Sequence, residues 1–392
     1  MIYILLLCST LIFLPNNHLS SLTSKRTFLS ILILALLFSY VPITQKGIGT
    51  DYNSYVKIFS DDYYLNALLN RRGEAGNYFF ISALRSLIDH PRFLFIAYGV
   101  LTSFLFSISI HIVSFLFTIP RLPIVILTFI VQTNLYHTQF SAIRQALSIS
   151  FSNLFLLLLP LHLNIFLKLV LAFMATGFHN SGFLPISVGL FLFLFFKTAS
   201  SVCLVPKINF YSLKLSFHRF LFNASSLRLA SLLSILLPFI LLFSASAILY
   251  HTSTLGGMFK IYNSNYNDYY SSGSVSIVNV ISKCIYLPFL LHFLVHIRFY
   301  LEKLGRFMPK PVVFYYFALA SLGFASFFFP LLGAAFYRLF HTFVFMSIIP
   351  TSLSIGYFSK SPIVLATSIL CLLGYIVKVS IGLEVYGYDS FF

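Results

Sequence analysis

Long apolar runs separated by short polar segments fill almost the whole chain. The hydrocarbon of a bilayer is about 30 Å thick, so a helix that crosses it needs roughly 20 mainly apolar residues. The runs predict about twelve such helices, near residues 1–18, 27–43, 93–117, 122–138, 141–160, 165–178, 181–197, 228–249, 276–297, 311–329, 331–349 and 362–378. The predicted fold class is all-α: a polytopic transmembrane helix bundle forming one integral membrane domain over residues 1–392. The first run lacks a signal peptide's basic start and cleavage site, which predicts a retained span.

The segment 78–90 is helical in pattern but too short to span, because thirteen residues rise only about 20 Å in an α-helix. Its apolar and polar residues fall on opposite sides, which is typical of a helix lying in the membrane interface. The apolar side is Phe80, Ile81, Leu84, Leu87 and Ile88, and the polar side is Ser82, Arg85, Ser86 and Asp89. We predict a short amphipathic interfacial helix that Pro91 ends.

Composition excludes several classes of protein. With 59% hydrophobic and 9% charged residues and a mean hydropathy of +0.92, the chain predicts lipid and not water as its surroundings. The net charge of +16 comes from basic residues scattered singly through loops, so we expect membrane lipid as the partner and no nucleic acid. Four distant cysteines and nine dispersed acids form no recognisable ligand cluster, so we expect no metal and no cofactor.

Charge also predicts an orientation, since basic residues in short loops favour the cytoplasm. An outside N-terminus places fourteen basic residues and one acid, Glu302, on the cytoplasmic side, which includes the loop 198–227. The extracytoplasmic side then holds eleven basic residues and eight acids, with a long loop at 44–92 and a tyrosine-rich loop at 250–275. Five polar segments share this outer side: 47–55, 71–77, 142–148, 178–182, and Arg338 with His341.

Arg144 belongs to a polar stripe on an otherwise apolar helix. Ser141, Arg144, Gln145, Ser148 and Ser152 recur at steps of three and four residues, so the stripe must face protein or an aqueous cavity. Two interpretations stay open. Arg144 pairs with a carboxylate such as Asp51 or Glu74 while the serines pack on a neighbouring helix, or its guanidinium binds the phosphate oxygens of a lipid-linked substrate.

The other outer segments carry further candidates, each with a structural alternative. His179 lies in a turn between two spans, where Asn180 and Ser181 are placed to cap the next helix; an imidazole there can also donate to a phosphate or carry a proton. Arg338 and His341 lie one helical turn apart and form either a second cationic face or a snorkelling pair.

Two acids sit beside glycines in the long outer loop. Asp51 follows two glycines and precedes Tyr52 and Tyr55, residue types that suit a sugar site, and Glu74 lies between Gly73 and Gly76. The alternative for both acids is a solvated loop with local salt bridges. The aromatic loop 262–273 suits either stacking on sugars or an interfacial belt.

In order and spacing, the short motifs resemble the EpsG-like branch of the Wzy-type O-antigen and capsular polysaccharide polymerases. They are Gly-x-Gly-Thr-Asp-Tyr-x-x-Tyr at 47–55, Glu-x-Gly at 74–76, Ile-Arg-Gln at 143–145 and Phe-His-x-Ser at 178–181, and they cover the first half of the chain. The resemblance implies a glycosyltransferase of the bacterial inner membrane that joins undecaprenyl-pyrophosphate-linked glycans, with a chain-length regulator as a possible partner. No nucleotide sugar or metal is implied.

The same resemblance implies roles for the candidate residues. Arg144, with His179 or Arg338, would stabilise the leaving pyrophosphate, and Asp51 or Glu74 would assist the acceptor hydroxyl. Tyr52, Tyr55, Gln145, Arg338 and His341 would contact substrate. The rival functions are an O-antigen ligase, a flippase or transporter, and an acyltransferase; the absence of visible repeats and the outer bias of charge disfavour a transporter.

Overall fold

The computed structural model describes residues 25–44, 52–70, 72–119, 142–201, 287–326, 341–358, 360–371 and 373. In that part of the chain, all regular structure is helical. The α-helices are α1 (Lys25–Thr44), α2 (Tyr52–Ser60), α3 (Asp62–Asn70), α4 (Ala75–Leu87), α5 (Arg92–Leu116), α6 (Ile143–Leu158), α7 (Ile165–Phe178), α8 (Phe183–Ser201), α9 (Leu287–Val295), α10 (Ile297–Leu304), α11 (Lys310–Ala325), α12 (Ile348–Phe358) and α13 (Pro362–Cys371). Short 3-10 helices cover Asn180–Gly182 and His341–Ser347.

The predicted spans 27–43, 93–117, 141–160, 165–178 and 181–197 correspond to α1, α5, α6, α7 and α8 within a few residues. Among the described residues, two helical stretches are long and apolar enough to cross a bilayer, Arg92–Leu116 and Asn180–Thr198. The predicted spans 1–18, 122–138 and 228–249 and the loop 250–275 lie outside the described residues. The total of about twelve spans therefore stays a prediction.

The chain divides into two compact units, one of Met1–Ile186 with Ile355–Phe392 and the other of Ser187–Ser354. In the first unit α1 packs along α5, and α6 packs against both α5 and α7. Every residue of α6 is buried, so the stripe residues Arg144, Gln145, Ser148 and Ser152 face protein, one of the two environments predicted for the stripe. The ammonium of Lys168 donates to the carbonyls of Leu159 and Leu161 at 2.8 and 2.7 Å and so caps the end of α6.

The second unit has its core where α11 packs against the 3-10 helix His341–Ser347. Gly323 permits this approach, since a Cβ there would lie 2.4 Å from the backbone nitrogen of Ser347. The span predicted to end at residue 349 is instead followed by α12, which runs on to Phe358. Pro350 is the third residue of α12, in the first turn where a helix tolerates a proline, so it does not end the helix.

The outer segment 44–92 also differs from the prediction, because it contains three helices, α2, α3 and α4. The predicted interfacial helix begins earlier, at Ala75, and packs against α3 and α7. Its apolar side is split: Ile81 and Leu84 are buried in protein, whereas Leu87 and Ile88 are exposed. The helix ends at Leu87, and Pro91 precedes the first turn of α5 instead of ending α4.

Candidate functional site

Glycines bring α4 against the end of α7. Gly73 has a φ of 66°, a left-handed conformation that favours glycine and turns the chain into α4. At Gly76, a Cβ would lie 2.8 Å from the carbonyl carbon of Gly177, so only a glycine allows the two backbones to approach this closely. The start of α4, which carries Glu74, is thereby held beside the turn that follows Phe178.

Glu74 and Arg144 form a buried ion pair at this contact. The Arg144 Nη1 atom donates to Glu74 Oε2, and the two residues are only 8% and 3% exposed. Charges removed from water in this way need good partners, because burial of an unpaired charge is strongly unfavourable. The pairing partner that we left open for Arg144 is thus Glu74, and Glu74 is not the solvated loop residue of the alternative interpretation.

Asn77 connects this ion pair to two other helices. It is fully buried, and its Nδ2 atom donates to Glu74 Oε2 at 2.9 Å and to the carbonyl of Phe178. Its Oδ1 atom accepts a hydrogen bond from the hydroxyl of Tyr98 in α5. One amide side chain therefore fixes the Glu74 carboxylate, the last turn of α7 and the face of α5 relative to one another.

Aromatic side chains cover the guanidinium of Arg144. The ring of Tyr55 lies with its centroid 5.6 Å from Arg144 Cζ, and its hydroxyl is hydrogen-bonded to the guanidinium. Phe95 supports this ring edge-to-face at 6.2 Å and stacks on Tyr52 at 4.6 Å. The Nε atom of Arg144 is buried and has no hydrogen-bond partner within the described part of the chain. Within these residues, the guanidinium therefore retains one unused donor.

His179 caps the turn between α7 and α8. Its Nδ1 atom accepts from the backbone N–H of Ser181 at 3.1 Å and lies 2.8 Å from the Ser181 hydroxyl. An accepting Nδ1 places the proton of a neutral imidazole on Nε2. The expected cap by Asn180 is not formed; the Asn180 amide instead donates to the carbonyl of Arg72 at 2.5 Å.

Of the candidates predicted from sequence, the structure brings together Glu74, Arg144, Tyr55 and, behind Phe95, Tyr52. His179 follows the Phe178 carbonyl that Asn77 binds, and Ser148 of α6 donates to the carbonyl of Ala175 in α7 at 2.7 Å. Gln145 is buried in α6 beside Arg144. Asp51 and Arg338 lie outside the described residues; His341 begins a 3-10 helix of the second unit, and its side chain is likewise outside the description.

Sequence reasoning missed Asn77, Tyr98 and Phe95. Asn77 could have been predicted from the sequence. It lies three residues after Glu74, so both residues are on the same side of the helix that starts at Glu74. Tyr98 and Phe95 carried none, since aromatic residues in an apolar span are indistinguishable from ordinary lipid-facing or core residues. In the described residues, no group of three or more His, Cys, Asp or Glu side chains is placed to hold a metal ion.

The arrangement is suited to binding an anion, since a permanently charged guanidinium, with one donor that no described residue uses, lies beside a polar turn. The EpsG family model matches residues 26–390, which is nearly the entire chain. The chain belongs to the EpsG family. Members of this family are Wzy-type polymerase-like, so the membership points to a membrane protein of polysaccharide polymerisation. No curated protein and no solved structure matches the chain.

Proposed function

We propose that this EpsG-family protein joins undecaprenyl-pyrophosphate-linked oligosaccharide repeat units into O-antigen or capsular polysaccharide. It works as a multi-pass protein on the periplasmic face of the bacterial inner membrane. Family membership supports the reaction class, and the distribution of charge along the sequence supports the orientation. The observation that carries the proposal is the buried Arg144, whose Nε atom has no partner among the described residues and can donate to a ligand.

The reaction needs little from the protein beyond charge stabilisation and alignment. A hydroxyl of one glycan attacks the anomeric carbon of another, the new C–O bond forms, and the bond to the lipid diphosphate breaks with its electron pair on the diphosphate. Arg144 stabilises the negative charge that develops on this leaving group. Arg144 lies at the start of α6. In the topology predicted from charge, that end of the helix is at the outer membrane surface, where a lipid-linked diphosphate resides.

The remaining candidates take supporting roles in this proposal. Glu74 or Asp51 accepts the proton of the acceptor hydroxyl, and the Nε2–H of His179 donates to a phosphate oxygen. Tyr52, Tyr55, Gln145, Arg338 and His341 contact the glycan or the diphosphate. A chain-length regulator is a further partner.

Arg144→Ala tests the proposal in cells that display the polysaccharide. We expect long chains to disappear while single repeats remain on the acceptor core, because export and ligation do not require this protein. The matched control is Arg85→Ala, which removes an arginine of the same outer region from its exposed pair with Asp62 at 2.7 Å and should preserve long chains.

Two outcomes would overturn the proposal, once membrane insertion of the variant has been verified by immunoblotting. Long chains of normal length in Arg144→Ala would remove Arg144 from the reaction. Loss of even the single repeats would point to the rival functions of a flippase or an O-antigen ligase.

A further inference from the structure

We propose that Glu74 is a displaceable latch on Arg144: the diphosphate of the incoming donor replaces the carboxylate, and the released carboxylate then serves as the base for the acceptor hydroxyl. This inference rests on the function proposed above and adds an order to it. The donor must bind before the acceptor can be activated.

Arg144 has capacity for a ligand that Glu74 does not use. The carboxylate engages Nη1, whereas Nε is buried without a partner among the described residues. Leaving such a donor unpaired in a buried site is unfavourable. A diphosphate has more oxygens and more charge than a carboxylate, and it can accept from Nε and from an Nη atom together. It therefore satisfies the guanidinium more completely than Glu74 does.

While the latch is closed, the Oε2 atom of Glu74 is blocked from accepting the proton of an acceptor hydroxyl. Arg144 and Asn77 both donate to the same oxygen, Oε2, whose lone pairs are then occupied. Displacement from Arg144 frees one of these lone pairs. Asn77 is anchored independently by Tyr98 and the Phe178 carbonyl, so it keeps the released carboxylate in place beside the site.

The proposed step balances in atoms and charge. The acceptor hydroxyl gives its proton to Glu74 Oε2, its oxygen forms the bond to the anomeric carbon, and the diphosphate leaves with the electron pair of the broken bond. When the diphosphate product departs, Glu74 gives this proton to the product or to water. The ionised Glu74 then returns to Arg144, which helps to release the product.

The decisive variant is Glu74→Gln in the purified full-length protein. If Glu74 is a latch, the affinity for undecaprenyl diphosphate should rise, whereas if Glu74 is purely structural, the affinity should fall. Without the competing carboxylate, undecaprenyl diphosphate should bind about tenfold more tightly. Without the base, kcat for chain extension should fall about a hundredfold or more. The matched control is Asp62→Asn, which removes an acid from the exposed pair with Arg85 and should alter neither quantity.

Weaker or unchanged diphosphate binding in Glu74→Gln would overturn the latch. Failure of the underlying function has a different signature, since undecaprenyl diphosphate would then bind equally well to Arg144→Gln and to the wild-type protein. A latch that fails while Arg144 still binds diphosphate leaves the proposed polymerase reaction intact.

A second measurement covers the case in which Glu74→Gln does not fold. The chain contains three glutamates, so Glu302→Gln with Glu384→Gln leaves Glu74 alone to report. With ¹³C-glutamate, the infrared carboxylate band of Glu74 should shift when undecaprenyl diphosphate is added, because its partner changes. A band that does not move would overturn the displacement.

Discussion

At the scale of single residues, Asn77 fixes the arrangement of the helices around the site. It is the side chain through which α4, α5 and the end of α7 meet, and it makes hydrogen bonds with both its amide and its carbonyl end. A buried amide with all these partners stabilises one arrangement, and its removal leaves the Phe178 carbonyl and the Tyr98 hydroxyl without the partner seen here.

Replacing Asn77 by alanine should therefore lower the free energy of unfolding by about 1–3 kcal/mol per unsatisfied group left behind. The measurement is the thermal midpoint of unfolding in detergent. Ser82→Ala is the control on the same helix, since the Ser82 hydroxyl donates only to the Tyr78 carbonyl of its own helix. Equal destabilisation by the two substitutions would contradict the role assigned to Asn77.

Gly76 and Gly177 offer a second comparison at this scale. A Cβ on Gly76 would meet Gly177 backbone atoms at 2.8 Å, whereas one on Gly177 would meet Gly76 atoms at 3.3 Å. We expect Gly76→Ala to force the helices apart at a cost of about 1–3 kcal/mol and Gly177→Ala to cost less. Polysaccharide chain length and the thermal midpoint of unfolding should both decrease more in Gly76→Ala than in Gly177→Ala. A larger decrease in Gly177→Ala would contradict the geometry.

At the scale of helices, α1 and α5 are joined by a buried hydrogen bond. His111 Nδ1 donates to the Ser107 carbonyl at 2.7 Å, so its Nε2 atom accepts from the Ser30 hydroxyl at 2.9 Å. Hydrogen bonds between helices in a membrane contribute modestly, because the separated helices also find partners.

A double-mutant cycle of Ser30→Ala and His111→Ala should give a coupling energy of about 0.6 kcal/mol. The cycle uses unfolding equilibria in mixed micelles, and Ser109→Ala replaces Ser30→Ala as the control, since Ser109 donates to the Leu105 carbonyl of its own helix. A coupling energy no larger than that of the control pair would argue against the bond.

The helices also show what a sequence can and cannot predict. Apolar runs predicted α1, α5 and α7 closely, because burial in lipid or protein requires a continuous apolar stretch whatever its neighbours. The prediction that Pro91 ends a helix was wrong, since a proline is compatible with the residues just before a helix as well as with those just after one. The sequence offered both Asp51 and Glu74 as the carboxylate that pairs with Arg144. It could not decide between them, because residues 70 positions apart, such as Glu74 and Arg144, meet only through tertiary packing.

At the scale of the whole molecule, the orientation in the membrane determines whether Arg144 can meet a periplasmic substrate. In a variant without native cysteines, Tyr63→Cys should react with a membrane-impermeant reagent from the periplasm and Arg306→Cys only from the cytoplasm; both positions are exposed. Asn265→Cys should behave like Tyr63→Cys. Modification of residue 265 from the cytoplasm alone would reverse the topology.

The central claim is that this protein itself forms the bond between lipid-linked repeats at Arg144. The direct measurement supplies purified protein in lipid nanodiscs with undecaprenyl-pyrophosphate-linked repeat units and follows both glycan length and free undecaprenyl diphosphate. We expect a ladder of longer glycans and one undecaprenyl diphosphate released per added repeat. Arg144→Ala should give neither product. Repeat units that stay single in the presence of folded wild-type protein would contradict it.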